Sequence, residues 1–281
     1  MIMKKCFTWR FILYLLPALC LNHLSAQDGN SPYLECHYME NYIINLNRPK
    51  HIVQDEMVLS ISTNGSEFYS LWCRIHAELK DSIVRKGGDY SDIAAAQAKL
   101  VYPTSSQCYT IYKDIPEKGT LTHTDDIFGH HYLMTEKLEL PQWAIQHEKK
   151  TVAGYTCQRA EATFKGRTWI AWFTPDIPAS DGPWKLCGLP GLILEAQDTE
   201  NHYHFTCIEI NRVSGGKPIA IPKQKYIRCT QEEFQKEQTL WREDMNAYII
   251  KEGYGEGVKM RAKDGSLVPL KLNMKFNYIE R

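Results

Sequence analysis

Gly188-Leu189-Pro190-Gly191-Leu192-Ile193 is the stretch of sequence that most constrains the fold, and Leu194 extends its apolar end. Pro190 fixes its own φ angle, and each flanking glycine can adopt backbone angles that other residues avoid. The large apolar residues that follow are typical of a buried strand. The sequence therefore predicts a bend that enters a buried strand, which is a structural role and not a catalytic one.

Strand patterns surround this segment on both sides. Residues 155–164 and 167–173 flank Lys165-Gly166, which predicts a hairpin. Residues 57–74 predict another hairpin, because Asn64-Gly65 tolerates the positive φ angles of a two-residue turn. Further strands are predicted at 108–113, 132–140, 143–147, 192–196 and 202–213, with a terminal hairpin that turns at Asp264-Gly265.

Two regions carry helical patterns. Residues 77–100 are polar with an alanine-rich end and are divided by Gly87-Gly88, which predicts two short helices. Thr230 and Glu233 form a capping box that opens a helix predicted over residues 230–252. The apolar residues of that helix recur on one face: Phe234, Trp241, Met245 and Tyr248.

Because strands outnumber helices, the sequence predicts a mainly β fold of the α+β class. We expect an antiparallel sheet curled into an open half-barrel or a sandwich, covered by a few helices. No repeat, low-complexity segment or linker interrupts residues 27–281, which predicts one β-rich domain there.

Residues 1–26 have the layout of a secretory signal peptide. Lys4, Lys5 and Arg10 precede an apolar run over residues 11–21, and small residues follow before Gln27. A lipid anchor at Cys20 is disfavoured, because the large Leu19 precedes it. No later stretch has the roughly 18 apolar residues of a membrane helix. We expect an exported protein, either periplasmic or associated with the cell surface, without a transmembrane span.

The charge balance argues against nucleic-acid binding. Without residues 1–26 the chain carries 30 basic and 33 acidic residues and no basic stripe interleaved with aromatic residues. No phosphate-binding loop, Gly-x-Ser-x-Gly elbow or His-Glu-x-x-His helix occurs. We therefore expect no cofactor and no nucleic-acid partner.

The central segment and its surroundings resemble a known family. Residues 188–193, together with Gly154-Tyr155-Thr156-Cys157, Gly166-Arg167 and Trp172, resemble the signature of the GLPGLI family of secreted Bacteroidetes proteins, a Porphyromonas-type family of unknown function. The resemblance covers residues 132–200 well. It implies a bacterial envelope protein and no particular reaction. The order of elements is also similar to LolA-related lipoprotein carriers, which implies an apolar concave face suited to a lipid or peptide.

Seven cysteines follow residue 26, and they are scattered without Cys-x-x-Cys spacing: Cys36, Cys73, Cys108, Cys157, Cys187, Cys207 and Cys229. Buried thiols that act as small apolar side chains are one interpretation. One or two disulfides are the other, since an exported chain meets an oxidising environment. We expect Cys157 to pair with Cys187, because these two residues flank the central segment.

Clustered histidines suggest a metal site as a hypothesis. His202 and His204 lie two residues apart, so they share one face of a strand. Further ligands could come from the segment that contains His123, Asp125, Asp126, His130 and His131. The alternative is that these histidines are solvated side chains of strands and loops.

Arg167 and Asp176 lie in an aromatic neighbourhood with Trp169, Trp172 and Trp184. A buried ion pair between the two charged residues, or stacking of Arg167 on an indole, would stabilise the fold. The functional interpretation is that Arg167 and the three tryptophans bind a ligand at the rim of a cleft.

Two functions remain open after these considerations. The first is a non-enzymatic binding or carrier protein for a hydrophobic or peptidic ligand, acting alone or within an envelope protein complex. The second is a hydrolase that uses a metal bound by the histidines, or the thiol of Cys187 beside Gly188. The absence of catalytic motifs favours the first, so whether the protein is an enzyme is left open with a preference against.

Overall fold

The computed structural model describes residues 29–101, 107–270 and 274–281, and the predicted signal peptide lies outside them. The described residues form fourteen strands and four helices, which confirms the predicted mainly β class. The strands are β1 Pro32–Ile43, β2 Ile52–Ser62, β3 Ser66–Ser70, β4 Thr110–Lys113, β5 Thr120–Ile127, β6 His130–Lys137, β7 Ala144–Val152, β8 Tyr155–Phe164, β9 Arg167–Thr174, β10 Leu192–Asp198, β11 Tyr203–Arg212, β12 Ile227–Arg228, β13 Lys259–Arg261 and β14 Leu267–Pro269. The helices are α1 Leu71–Arg85, α2 Tyr90–Gln97, α3 Gln231–Glu243 and α4 Met245–Lys251.

Twelve strands form one sheet in the order β12-β6-β5-β4-β3-β2-β1-β11-β10-β9-β8-β7. All neighbours are antiparallel except the short β12, which runs parallel to β6. The sheet has two edges, β12 and β7, so it is open and not a closed barrel. Strands β13 and β14 pair with each other in a separate hairpin.

The sheet is strongly curled. Seven strands separate β6 from β9 in the sheet order, yet Lys165, in the turn between β8 and β9, reaches β6. Its Nζ lies 3.1 Å from Oε2 of Glu136. Only a curled sheet brings such distant strands within the length of two side chains, so the predicted curled antiparallel architecture is confirmed.

The core lies on the concave side of the sheet. Alternate residues of β1 point into it, as in Cys36, Tyr38 and Tyr42, and they pack with inward side chains of β2, β9, β10 and β11. Burial of each large apolar side chain contributes roughly 1.5–3 kcal/mol. The concave surface is not an open apolar cleft, because the segment of residues 175–191 lies across it and buries Trp184 and Leu186 there.

Gly191 makes the bend at the start of β10 sterically feasible. Its φ angle is +149°, and a Cβ atom at this position would overlap the carbonyl oxygen of Thr174. Pro190 is exposed, while Leu189 and the residues from Leu192 to Leu194 are buried. The apolar end of the central segment is therefore core strand, and its glycine permits close packing of two backbones.

The predicted hairpin at residues 57–74 forms up to Ser70, and the prediction is wrong beyond it. Its turn also differs from the predicted two-residue turn, because four residues separate the paired Ile61 and Ser66 and neither Asn64 nor Gly65 has a positive φ angle. Ser70 Oγ accepts a hydrogen bond from the amide of Cys73 at 3.1 Å and caps α1, so residues 71–74 are helical. Three strands were not predicted, β1, β5 and the short β12. The inward row of β1 contains Glu40 and that of β5 contains His123, and these polar residues obscure the apolar alternation.

The helical predictions hold with small changes. Gly87 and Gly88 separate α1 from α2, and the predicted helix 230–252 is divided at Asp244 into α3 and α4. Phe234 and Tyr248 are buried against Tyr132 and its neighbours on the sheet. None of these four helices is both long and apolar enough to span a membrane.

The disulfide joins Cys73 to Cys108, with their Cα atoms 5.5 Å apart, and the predicted pairing of Cys157 with Cys187 is wrong. Cys157 and Cys187 are buried thiols, and each is hydrogen bonded within its own segment, to Tyr155 O and Lys185 O respectively. The Cys73–Cys108 disulfide joins the first turn of α1 to the chain just before β4. This contact depends on the helix beginning at residue 71.

Candidate functional site

The three tryptophans predicted to bind a ligand do not form one site. Trp169 and Trp184 are buried in the core, with ring centroids 5.6 Å apart. Trp172 lies three residues after Trp169 on β9, so it faces the opposite side of the sheet. Lys150 Nζ lies 4.4 Å from the centre of its ring. Trp169 and Trp184 are therefore part of the packing, and Trp172 belongs to the outer surface.

Arg167 is a structural residue in the interior. Its Nη1 lies 2.5 Å from Oδ2 of Asp198, and both side chains are almost fully buried. Its remaining donors bind Asn277 Oδ1 and the carbonyl oxygens of Tyr278 and Ile279. Asp176 is exposed, so the predicted pair with Arg167 is wrong. Arg167 anchors residues 277–279 to the sheet.

The histidines of the predicted metal site are dispersed. His204 Nε2 contacts Glu195, His130 contacts Glu252, and His131 contacts Asp126. His202 lies in a different group, with Asp198 and Glu200, and potential ligand atoms of these three residues lie within 4.8 Å of one another. His202 and His204 are thus engaged separately, and neither joins the residues of β5 and β6.

Two guanidinium groups surround the group of Asp198, Glu200 and His202. Arg281 Nη1 lies 2.7 Å from Glu200 Oε1, and its Nη2 lies 3.1 Å from His202 Nδ1. Arg167 neutralises Asp198 as described above. Because two cations already balance the two carboxylates, this group is better explained as an ion-pair network than as a metal site.

Buried lysines hold the segment 175–191 over the concave face. Lys113 Nζ lies 2.5 Å from Asp181 Oδ1 and also donates to carbonyl oxygens of the segment. Lys185 Nζ lies 2.8 Å from Glu136 and 2.6 Å from Glu280. These charged hydrogen bonds fix the segment and the residues near the C-terminus across the sheet, so the segment covers the part of the concave face on which it lies.

The outer face of β2 to β5 carries a groove of about 680 Å³. One wall is α1, and the other is formed by residues 216–226, including Tyr226. Tyr69 and Tyr112 form part of its floor. The disulfide between Cys73 and Cys108 borders it and fixes the position of α1.

The groove is strongly acidic. Six acidic side chains line it against two basic side chains, Arg74 and Lys217. The six are Glu35, Glu67, Glu78, Asp81, Asp125 and Asp126. Arg74 is engaged within the wall, because its guanidinium forms two hydrogen bonds to Glu67 and stacks 3.1 Å above the ring of Tyr69. Such a surface attracts positively charged partners.

A smaller cavity of about 50 Å³ lies behind the groove. Tyr109 and Asp125 line both spaces, so the cavity and the groove adjoin at these residues. His123 lines the inner cavity, where its ring makes an edge contact with Tyr109 at 5.8 Å between centroids. His123 and Asp125, two of the predicted metal ligands, do therefore share one cavity.

The electrostatics of this cavity are unusual. Burial, helped by the charge of Lys185, lowers the pKa of His123 to about 3, so its ring is neutral. Burial raises the pKa of Asp125 to about 7, against the opposing effects of the Asp126 amide and Arg242. The cavity therefore holds a neutral imidazole and a carboxyl group that changes charge near neutral pH.

The groove was not predicted from the sequence. Glu67 and Arg74 are seven residues apart, and they meet only because the chain changes from strand to helix at Ser70. The capping pattern of Ser70 was the available signal for this change. Tyr109, which lines both the groove and the cavity, carries no distinguishing sequence signal.

Comparisons with known proteins give limited matches. The fold is similar to solved structures of PNGF-II in two space groups, P21 and C2, both with a TM-score of 0.48 and with 10% and 9% sequence identity. The aligned region covers 73% and 72% of this chain but 33% and 32% of the PNGF-II chains, about a third of their length. None of the curated proteins compared with the sequence matches it. Residues 162–195, which include β9 and the central glycine-rich segment, match the model of a family described as "Protein of unknown function (Porph_ging)".

Proposed function

We propose that this protein is an exported, non-enzymatic binding protein whose ligand is an extended, positively charged polypeptide segment held in the acidic groove. The excess of six acidic over two basic side chains in a groove of about 680 Å³ is the observation that carries the proposal. It keeps the sequence-based preference for a binding protein with a hydrophobic or peptidic ligand, takes the peptidic ligand of the two, and moves the binding site from the concave face to the outer face.

The chemistry of the groove supports a peptide as ligand. Tyrosines supply apolar contact area together with a hydroxyl group, at a low cost in conformational entropy. The carboxylates of Glu78 and Asp81 on α1 can pair with lysine or arginine side chains of the ligand. Charge complementarity of this kind increases the association rate and selects against acidic competitors.

The hydrolase alternative has less support. Burial raises the pKa of the Cys187 thiol to about 11, so almost none of it is the reactive thiolate at neutral pH. His202 contacts Glu200 and His204 contacts Glu195, so they do not supply the predicted pair of metal ligands. Asp125 has a pKa suited to proton transfer, but no serine, threonine or cysteine lines the cavity beside it in the described part of the chain.

The test is a binding measurement with a probe of defined charge. A fluorescein-labelled nonapeptide that alternates lysine and leucine is titrated with residues 27–281, and fluorescence anisotropy is recorded at low and at physiological salt. We expect saturable binding that weakens with salt. The double variant Glu78→Lys/Asp81→Lys, which reverses two charges in the groove wall, should weaken it by about tenfold or more.

Two controls make the result specific. Glu117→Lys changes an exposed turn outside the groove and should leave the affinity unchanged. A peptide with glutamate in place of each lysine should not bind. Equal loss in Glu117→Lys and in the groove variant, or equal binding of both peptides, would contradict the proposal.

A further inference from the structure

The inner cavity contains two polar atoms that have no hydrogen-bond partner among the described residues, His123 Nε2 and Tyr109 Oη. Both side chains line the cavity and are deeply buried, with 8% of His123 and 5% of Tyr109 exposed. An unpaired polar atom at this depth is costly to folding. Two such atoms on one cavity indicate that a further polar group completes their hydrogen bonding.

The hydrogen-bonding roles of the two atoms define that group. His123 Nδ1 lies 3.0 Å from Oε1 of Gln231, and an amide oxygen only accepts hydrogen bonds. The hydrogen of the neutral ring is therefore on Nδ1, and Nε2 is an acceptor. The Tyr109 hydroxyl can donate. A group that donates to His123 and accepts from Tyr109 is complementary, and an aliphatic hydroxyl does both through one oxygen.

A positively charged group is less suitable at this position. Lys185 and Arg242 line the cavity with the acidic side chains of Asp125 and Glu280, so an ammonium group or a metal ion would add a third cation to two acidic groups and meet net repulsion. The ammonium of Lys185 is already paired with Glu136 and Glu280 and is fixed in place. A neutral occupant avoids this repulsion and leaves the ion pairs intact.

The size and position of the cavity connect it to the groove. Its volume of about 50 Å³ has room for a group of a few heavy atoms. Tyr109 and Asp125 line both spaces, so a side chain that projects from a ligand in the groove at these residues is directed toward the cavity. We infer that the cavity is a subsite for a small aliphatic hydroxyl, such as the end of a serine or threonine side chain. The inference rests on the proposed function in one respect, because the proposed peptide ligand is the molecule that carries the hydroxyl.

The experiment uses small probes that do not depend on groove binding. 1-Propanol and propylammonium chloride are titrated into protein labelled with ¹⁵N at histidine, and the Nε2 resonance of His123 is followed by NMR. Tyr109→Phe removes one oxygen and keeps the ring that contacts His123. Tyr203→Phe is the matched control, because Tyr203 lines the same cavity but its hydroxyl already donates to Asn277 O at 2.5 Å.

We expect 1-propanol to shift the His123 Nε2 resonance saturably, with about threefold to tenfold weaker binding in Tyr109→Phe and little change in Tyr203→Phe. Propylammonium should produce no saturable shift. If Tyr109→Phe does not fold, His123→Phe is tested by saturation-transfer NMR on the alcohol, with the same expected loss.

No shift with 1-propanol, or equal affinity in Tyr109→Phe and the native protein, overturns the inference even where the lysine-leucine peptide binds the groove. A shift with propylammonium alone overturns it as well. If 1-propanol binds as expected and the peptide does not bind, the hydroxyl subsite stands and the proposed groove function fails.

Discussion

Arg167 and Asp198 form an ion pair in the interior, with Nη1 of the arginine 2.5 Å from Oδ2 of the aspartate and about 1% of each side chain exposed. Asp198 Oδ1 also accepts hydrogen bonds from the amides of His202 and Tyr203. The pair thus joins the start of β9 to the end of β10 and to the turn that leads into β11. A buried charge pair with this many partners holds the curled sheet to residues 277–279.

Replacing Arg167 with methionine should therefore be severely destabilising. The change leaves the Asp198 carboxylate buried without its cation, which costs about 3–5 kcal/mol of unfolding free energy. Urea denaturation followed by tryptophan fluorescence measures this loss. The double variant Arg167→Met/Asp198→Asn should recover part of it, and a single-variant cost below about 1 kcal/mol would contradict the structural role.

Glu40 should make the stability of the protein depend on pH. It lies opposite Asp55 across β1 and β2, is fully buried, and has no partner for either carboxyl oxygen among the described residues. Burial, and then the charge of Asp55, raise its pKa well above the ordinary value of 4.5. An acid whose pKa is raised on folding destabilises the native state as the pH rises from that value toward the folded-state pKa.

The variant Glu40→Gln separates this effect from others, including the smaller upward shift of Asp125, which acts in the same direction. The glutamine side chain does not titrate, so we expect the unfolding free energy of the variant to match that of the native protein near pH 4 and to exceed it by about 1–3 kcal/mol near pH 8. Urea titrations at both values provide the measurement. Parallel pH curves for the two proteins would show that Glu40 is not the cause.

The disulfide between Cys73 and Cys108 should be the bridge found in the oxidised protein. Cleavage of the non-reduced protein followed by mass spectrometry should yield a linked peptide that contains both residues, with Cys157 and Cys187 alkylated as free thiols after unfolding. Cys73→Ser/Cys108→Ser should lose about 2–4 kcal/mol of stability. A linked Cys157–Cys187 peptide would be the contrary result.

Gly191→Ala tests the bend at the start of β10. The new Cβ would overlap the carbonyl oxygen of Thr174, and alanine is strained at a φ of +149°. We expect a loss of about 3 kcal/mol or more, a size typical of backbone strain combined with overpacking. Gly119→Ala, with a φ of +80° and no atom within 4 Å of its Cβ, should lose only about 1–2 kcal/mol. Equal losses in thermal or urea unfolding would show that close packing at position 191 is unimportant.

The local structure could be predicted wherever short-range chemistry dominates. Lys165-Gly166 turns a hairpin with both φ angles positive, Gly87-Gly88 separates two helices, and Thr230 opens α3. These features depend on residues within a few positions of one another, so one sequence contains all the required information. The predictions failed where polar residues face inward, as with Glu40 in β1 and His123 in β5, because their environment is supplied by other strands.

The sequence by itself determined the class of the protein: mainly β, antiparallel, with few helices and a rigid bend at residues 188–191. The tertiary structure alone decided which charges and thiols meet. Arg167 pairs with Asp198 and not with Asp176, because antiparallel pairing of β9 with β10 places the end of β10 beside the start of β9. Cys73 pairs with Cys108 because α1 begins at residue 71. The groove and its inner cavity arise in the same way, because their side chains are far apart in sequence. Turn and strand preferences act locally, so they do not decide which of these side chains are brought together by packing.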